Sequence, residues 1–401
     1  METLRPVATA TATLPSGVPP AAAAAARGYP GWVMLMPYAT AEREVDDSEY
    51  STSNSGGAKI TGAASRSSSG HLVRVSLRLE APPAASGLSF HCSPCGGSGY
   101  GAHHYRPSMY VVAAHGDSVL LEMHYQKEGY RQYGIDYFFY NAGDGDDAGA
   151  GDEDPPRRPP SLSLSRLIRP PRLRGGSTGL LVRRCGDDDD DELVVAVLLT
   201  EEYRRRDTLE GAELVVLRSG EWSATPIAPI VHDDGKGEEL SYWETDMAVP
   251  VGDRLLCYVD LYRGVILCGD DLFDEIPPRL QYVSLPVEPP AGAFDEEHFD
   301  RQGDNYRRCL LNTRTVVCAI DGGGVALKFV VISSRCCCGS LGKHTTCDRS
   351  SRAFVIRTWT LRIDGDGDDD MAWTMDAMID AAELGPSTPT PPSHGAFHYT
   401  P

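Results

Sequence analysis

No apolar run in this 401-residue chain approaches the roughly 18 residues that a helical membrane span requires. No membrane partner is therefore expected. Basic residues are scarce too: 37 Lys and Arg stand against 57 Asp and Glu, a formal charge of -20. A nucleic-acid-binding surface draws its affinity from counterions released by positive side chains, so this balance argues against that class of partner. Helical periodicity is nearly missing, which leaves little from which to build a bundle. No signal-peptide core is read at the N-terminus, because Ala21–Ala26 is short and weakly hydrophobic. Residues 1–28, rich in Ala, Thr and Pro, are expected to be disordered, with an organelle transit peptide as the other reading.

Catalytic signatures are wanting as well. There is no Gly-x-Ser-x-Gly elbow. Gly322-Gly323-Gly324 leads into a strand and has no Lys-Ser/Thr after it, so the helix N-terminus that cradles phosphate is not formed. Asp364-Gly365-Asp366-Gly367-Asp368 opens like a calcium loop. It then places Asp369 where Gly is needed and Met375 where a bidentate Glu belongs. Asp187–Asp191 reads as a solvated acidic run. Cys92-x-x-Cys95, with His103 and His104 downstream, has half the spacing of a zinc site. Cys336, Cys337, Cys338, His344 and Cys347 are the residues that would complete it if the two stretches met. Gly, Ser and Pro surround both stretches, so they read as two unrelated loops, and no metal or other cofactor is expected. The 11 cysteines are scattered, and Cys257, Cys268, Cys309 and Cys318 sit inside apolar runs. That is the usage of reduced, buried thiols and fits a cytoplasmic or nuclear site.

What the chain does have is turns and short β-type runs. Its 41 Gly and 29 Pro break it into many small segments. His71–Leu79 alternates Leu72, Arg74, Ser76 and Arg78 against Val73, Val75, Leu77 and Leu79, the pattern of a half-buried strand. Tyr110–Ala114 and Val119–His124 flank His115-Gly116-Asp117-Ser118 as a hairpin. Further strands are expected at Trp32–Met36, Asp136–Tyr140, Ser161–Leu167, Leu193–Leu199, Ala212–Leu217, Arg308–Ile320, Ala326–Ile332 and Phe354–Leu361. Residues 51–70 read as a Ser/Gly-rich loop and 142–160 as a disordered low-complexity insertion. Met375, Met378, Ile379 and Ala382 fall at helical spacing, so a short helix is expected over Trp373–Leu384.

The central stretch is Asp253–Pro286. Leu255, Cys257 and Val259 alternate with Leu256 and Tyr258, so both faces are apolar, as suits a strand covered on both sides. Asp260 to Gly264 supplies turn chemistry, a short carboxylate that can accept backbone N–H groups and a glycine that tolerates positive φ. Val265–Cys268 returns, an acidic loop follows, and Leu280–Leu285 forms a third strand ended by Pro286. Asp260, Tyr262, Arg263 and Gly264 are the candidate structural or interaction motif. Asp260 and Arg263 either face a ligand or close the turn and pair with neighbours; the second needs no further cause.

Val215–Ser223 and Leu361–Thr374 share a strand, a polar turn and then Trp. Propeller blades repeat that unit, so the expected fold is mostly β and propeller-like, with paired β-sandwiches as the alternative. The order of segments resembles the grass-expanded plant family called domain of unknown function 1618. The matching pieces begin with Trp32–Leu35, Ala81-Pro82-Pro83, Ser86–His91 and Asp136–Tyr140, and continue through Ser219–Trp222, Tyr258–Cys268 and Tyr282–Pro286 to Leu327–Val330 and Trp359-Thr360-Leu361. The resemblance spans roughly residues 29–385, taken as one β domain, with 386–401 a disordered tail. Tyr258 and Tyr262 stand where the family often has Trp. The resemblance implies no established activity, and its strand pattern is similar to the propeller-like domains that follow F-boxes, although no F-box is read here. The expected function is a non-enzymatic protein-interaction module with a protein partner. The alternatives are a hydrolase using loop carboxylates and a ubiquitin-ligase substrate adaptor lacking its F-box.

Overall fold

The structure, a computed structural model, describes residues 33–42, 59–80, 84–93, 107–126, 133–143, 159–165, 173–183, 192–199, 211–218, 220–233, 235–240, 243–269, 278–288, 310, 313–321, 324–334, 354–363 and 371–380. The chain divides into two compact units, one from residues up to Ser165 and one from Arg166 onward, except that Val112–Gly116 falls with the second. Among the described residues the elements are strands and one 3₁₀ turn.

The strands before Arg166 are β1 (Met34–Leu35), β2 (Tyr38–Ala41), β3 (Lys59–Arg66), β4 (Leu72–Leu79), β5 (Ala85–Cys92), β6 (Ser108–His115), β7 (Ser118–Gln126), β8 (Tyr133–Asn141) and β9 (Ser161–Ser165), all of the first unit except the second half of β6. They join in the order β3-β4-β5-β2-β6-β7-β8-β9, with β1 beside β5. β3 and β9, the two ends of that path, lie alongside each other, so the sheet is nearly closed into a barrel. β4 buries Val73, Val75, Leu77 and Leu79 and leaves Arg74 and Arg78 exposed, the alternation read from its sequence. Its inner side chains meet Leu88, Phe90, Leu121, Met123, Phe138 and Tyr140 in one core. Gly116 supplies the positive φ (59°) of the β6–β7 hairpin.

β3 corrects the reading of residues 51–70 as a loop over Lys59–Arg66, while 51–58 lie outside the described residues. Its Ser, Gly and Ala residues carry little strand propensity, yet all eight positions pair with β4. A neighbour that already has one apolar face recruited it, as tertiary pairing commonly does.

The second unit begins with β10 (Thr178–Arg183), β11 (Glu192–Leu199), β12 (Gly211–Arg218), β13 (Glu221–Ala224) and β14 (Ala228–Val231). A 3₁₀ turn at Gly237–Leu240 follows, then β15 (Met247–Val251), β16 (Leu255–Asp260), β17 (Gly264–Cys268) and β18 (Leu280–Ser284). Their order is β10-β11-β12-β14-β18-β17-β16-β15, with β13 on β12, and β10 lies against β15, so this sheet too is nearly closed. β19 (Arg314–Asp321), β20 (Gly324–Ser334), β21 (Phe354–Arg362) and β22 (Thr374–Asp380) make a separate antiparallel sheet in chain order.

Two-sided burial of the central hairpin now has a cause. Leu256, Tyr258, Ile266 and Cys268 point into the barrel-like core beside Leu214, Ile230 and Trp243. Cys257, Val259, Val265 and Leu267 point the other way and pack with Val316, Leu327, Phe329, Trp359 and Leu361 of the small sheet. Each fully buried aliphatic side chain contributes about 1.5–3 kcal/mol, so a strand covered on both faces is held twice over.

The propeller expectation is corrected to two nearly closed barrel-like sheets plus a small antiparallel sheet. Among the described residues the long sheets run through nine strands each, and no ring of four-stranded blades is seen. The first strand–turn–Trp unit is a local hairpin of β12 and β13, and the turn of the second lies outside the described residues. Trp222, on β13, sits across from Leu217 of β12, whereas Trp373 is half-buried, its ring centre 6.0 Å from that of Phe329, against the core between two sheets. Among the described residues of this unit, face-to-face packing of the small sheet is the sandwich-like feature. β22 replaces the expected C-terminal helix: its helical spacing is overridden by pairing with β21 from Val355 to Thr360.

Candidate functional site

The β16–β17 hairpin turns through Leu261, Tyr262 and Arg263, with Asp260 and Gly264 as its last ladder pair. Turns usually lie in solvent. This one is inside: Asp260 is fully buried, Arg263 is 3% exposed and Tyr262 is 7% exposed. Arg263 Nη1 donates to Asp260 Oδ2 at 2.9 Å. The same carboxylate accepts the Tyr262 N–H at Oδ1 (2.9 Å) and the Glu244 N–H at Oδ2 (3.1 Å). The Arg263 N–H closes the turn on the Asp260 carbonyl at 3.1 Å, and the Arg263 carbonyl accepts from the Leu285 N–H at 2.9 Å. A buried charge survives only when it is paired and hydrogen-bonded, and this carboxylate is both.

Neighbouring segments lock the turn from two sides. Asp246 Oδ2 accepts the Leu261 N–H at 2.8 Å, and Arg314 Nη1, from β19, donates to the Leu261 carbonyl at 2.8 Å. Gly264 is needed for space rather than for positive φ, since it is not among the left-handed glycines. A Cβ there would stand 2.3 Å from the Tyr282 ring and 2.5 Å from the Val283 carbonyl oxygen.

A second polar cluster adjoins it. Tyr282 donates to Glu239 Oε2 at 2.8 Å, and Lys236 donates to Glu239 Oε1 at 2.6 Å. Trp243 stands edge-on to Tyr282, ring centres 6.2 Å apart. Burial pushes the Glu239 carboxyl up, but hydrogen bonds from Lys236, Tyr282 and Ser284 outweigh it and hold the group below its ordinary range. Tyr282 is pushed up, by burial first and then by its bond to that carboxylate. Burial likewise raises the Cys257 thiol and the Tyr258 hydroxyl. Cys257 is thereby inert as a nucleophile.

Asp260, Tyr262, Arg263 and Gly264 are thus brought together as an internal clasp. Asp246, Glu239, Trp243, Tyr282 and Arg314 join around it, and the sequence reading missed their roles. They come from separate segments, and only Tyr282 stood in a quoted motif. Cys92 is half-buried, whereas Cys95, Cys336–Cys338, His344 and Cys347 lie outside the described residues, as do Asp187–Asp191, Asp364–Asp368, the insertion from 144 to 158 and both termini. Among the described residues no group of His, Cys, Asp or Glu is placed to hold a metal ion, and no helix is long and apolar enough to cross a membrane.

Residues 258–398 match the model of a family described as protein of unknown function (DUF1618). The matched domain starts at Tyr258 and takes in the clasp, β17, β18 and the small sheet. The similar pieces read upstream of Tyr258 lie outside the match. No curated protein and no solved structure matches the chain.

Proposed function

We propose that the protein is a non-enzymatic interaction module that presents a sheet face of its DUF1618 domain to a protein partner. The observation that carries this reading is the solvent side of the small sheet. Ile332, Ile356 and Ile379 pair in one row across β20, β21 and β22. Ile332 and Ile379 are each 40% exposed, and Val317, on β19, is 44% exposed. Ile356 is half-buried between the two isoleucines, and Val317 stands apart from the row, opposite Lys328; a row of apolar side chains on a solvent-facing sheet is a surface a partner can cover. Among the described residues β22 is also the end strand of its sheet, and an open strand edge can take an extended segment of a partner.

Among the described residues the hydrolase alternative draws less support. A general acid needs a carboxyl held above its ordinary range, and Glu239 is held below. Asp260 spends its oxygens on Arg263 and two backbone N–H groups. A ubiquitin-ligase adaptor, the finer version of the module, rests on the sequence resemblance alone, because the propeller-like strand pattern behind it gives way to barrel-like sheets. The cysteine usage supports a cytoplasmic or nuclear setting, and the charge of -20 supports a protein rather than a nucleic acid as partner.

The test is crosslinking and mass spectrometry on the tagged full chain, with Ile332→Asp/Ile379→Asp as the control. A partner crosslinked to β20–β22 and lost in the control supports the reading. Partners retained at wild-type levels by the control would remove this face from the account.

A further inference from the structure

The first unit carries a hydroxyl that its core chemistry leaves at the surface. The β3–β4 hairpin turns through Ser67, Ser68, Ser69 and Gly70, with Gly70 in the left-handed region (φ 87°). Ser67 is buried, and its Oγ accepts the His71 N–H at 3.0 Å. Ser68 is exposed, yet it is tied inward by two bonds. Its N–H donates to Asp136 Oδ2 at 2.7 Å, and its Oγ lies 2.6 Å from the Tyr125 hydroxyl. Tyr125 in turn donates to Asp136 Oδ1 at 3.3 Å. Asp136 and Tyr125 are 6% and 2% exposed. Gly134 lets the Tyr125 ring lie flat on β8, since a Cβ there would stand 2.4 Å from it.

Four residues beyond Asp136 on β8, Tyr140 bonds Thr61 of β3, hydroxyl to hydroxyl at 2.6 Å and hydroxyl to carbonyl at 3.0 Å. The hairpin is therefore fastened to β8 at two points. One is wholly inside. The other ends in an exposed serine two residues after Arg66, whose guanidinium reaches the Gly70 carbonyl at 2.9 Å.

We propose that Ser68 is a phosphorylation site and that its phosphate releases the β3–β4 hairpin from Asp136. The donor is a nucleoside triphosphate held by a serine kinase that reads a basic residue before its acceptor. The Ser68 oxygen attacks the terminal phosphorus and loses its proton to the kinase's base. The O–P bond forms as the bond to the departing nucleoside diphosphate breaks. The product brings two further negative charges to a position one hydroxyl away from a buried carboxylate, and like charges so placed repel. Tyr125 can no longer bridge the two groups without leaving one. The Thr61–Tyr140 bond is untouched, so the hairpin is loosened at its tip rather than lost. Because β3 closes the sheet against β9, loosening its tip opens that seam.

The test uses the folded full chain. It is incubated with ATP and a kinase of that specificity, mapped by mass spectrometry, and followed by amide hydrogen exchange before and after phosphatase treatment. Phosphate is expected on Ser68, reduced by Arg66→Ala. Exchange over Lys59–Leu79 is expected to rise by about tenfold or more and to return on dephosphorylation. Ser68→Glu should speed the same amides, much less so in an Asp136→Asn background, while Ser69→Glu should have the smaller effect. A folded chain that takes no phosphate at Ser68 overturns the proposal. So does a phosphorylated chain with unchanged exchange, or a Ser68→Glu effect equal in both backgrounds.

Discussion

Asp260 and Asp136 are two buried carboxylates that each fasten a β-turn, and they do it differently. Asp260 lies in the turn it fastens, and its cation, Arg263, lies three residues on. Asp136 lies on β8 and reaches a turn 68 residues away through the Ser68 N–H, with the Tyr125 hydroxyl between them. The first is sealed inside, with the small sheet packed over the hairpin that carries it. The second opens to solvent at Ser68. A turn that carries its own counter-charge can be buried outright, whereas a turn held by a distant strand can be let go without dismantling either strand.

The comparison is broken most severely at the sealed end. Asp260→Ala leaves the Arg263 guanidinium buried without this carboxylate, and it should cost about 3–5 kcal/mol in urea denaturation of the second unit. Gly264→Ala comes next. Its methyl group meets an aromatic ring and a backbone carbonyl together, neither a flexible chain end, and about 2–3 kcal/mol is expected in the same titration. At the open end, Asp136→Asn keeps the shape but removes charge-assisted bonds, so about 2 kcal/mol should be lost from the first unit. Separate probes of the two units should show each substitution acting on its own unit.

The smallest effect sharpens the picture by pH. Glu239 is held below its ordinary range, so its folded-state pKa is depressed relative to the unfolded chain. Its contribution is present above the unfolded value and is lost as pH falls through the folded one. Glu239→Gln should therefore destabilise the second unit at neutral pH by less than about 1 kcal/mol, given its partial exposure. The difference from wild type should vanish in acid. Thermal melts across that range check both the size and the sign.

The sealed clasp was largely legible in the sequence because its parts are local. Asp260, Arg263 and Gly264 fall within five positions between two apolar runs, and those runs are apolar on both faces because two cores claim them. The open fastening was not legible. Nothing near Ser68 announces a carboxylate on β8, and β3 itself reads as a loop because Gly62, Ala63 and Ala64 carry no strand signature. β22 misled for the opposite reason, since Met375, Met378 and Ile379 satisfy a helical period that strand pairing ignores. β10, β14 and β15 went unread, being short and recruited into a sheet by their neighbours.

The most direct test of the sealed clasp is a double-mutant cycle on the pair. Asp260→Asn, Arg263→Met and the double variant would be unfolded in urea, with the second unit followed. The account predicts that each single variant is strongly destabilised and that the double variant is more stable than the sum of the two losses allows, with a coupling of about 2 kcal/mol or more. Single variants within about 0.5 kcal/mol of wild type, with no coupling, would contradict it. Asp260 and Arg263 would then be free of structural duty.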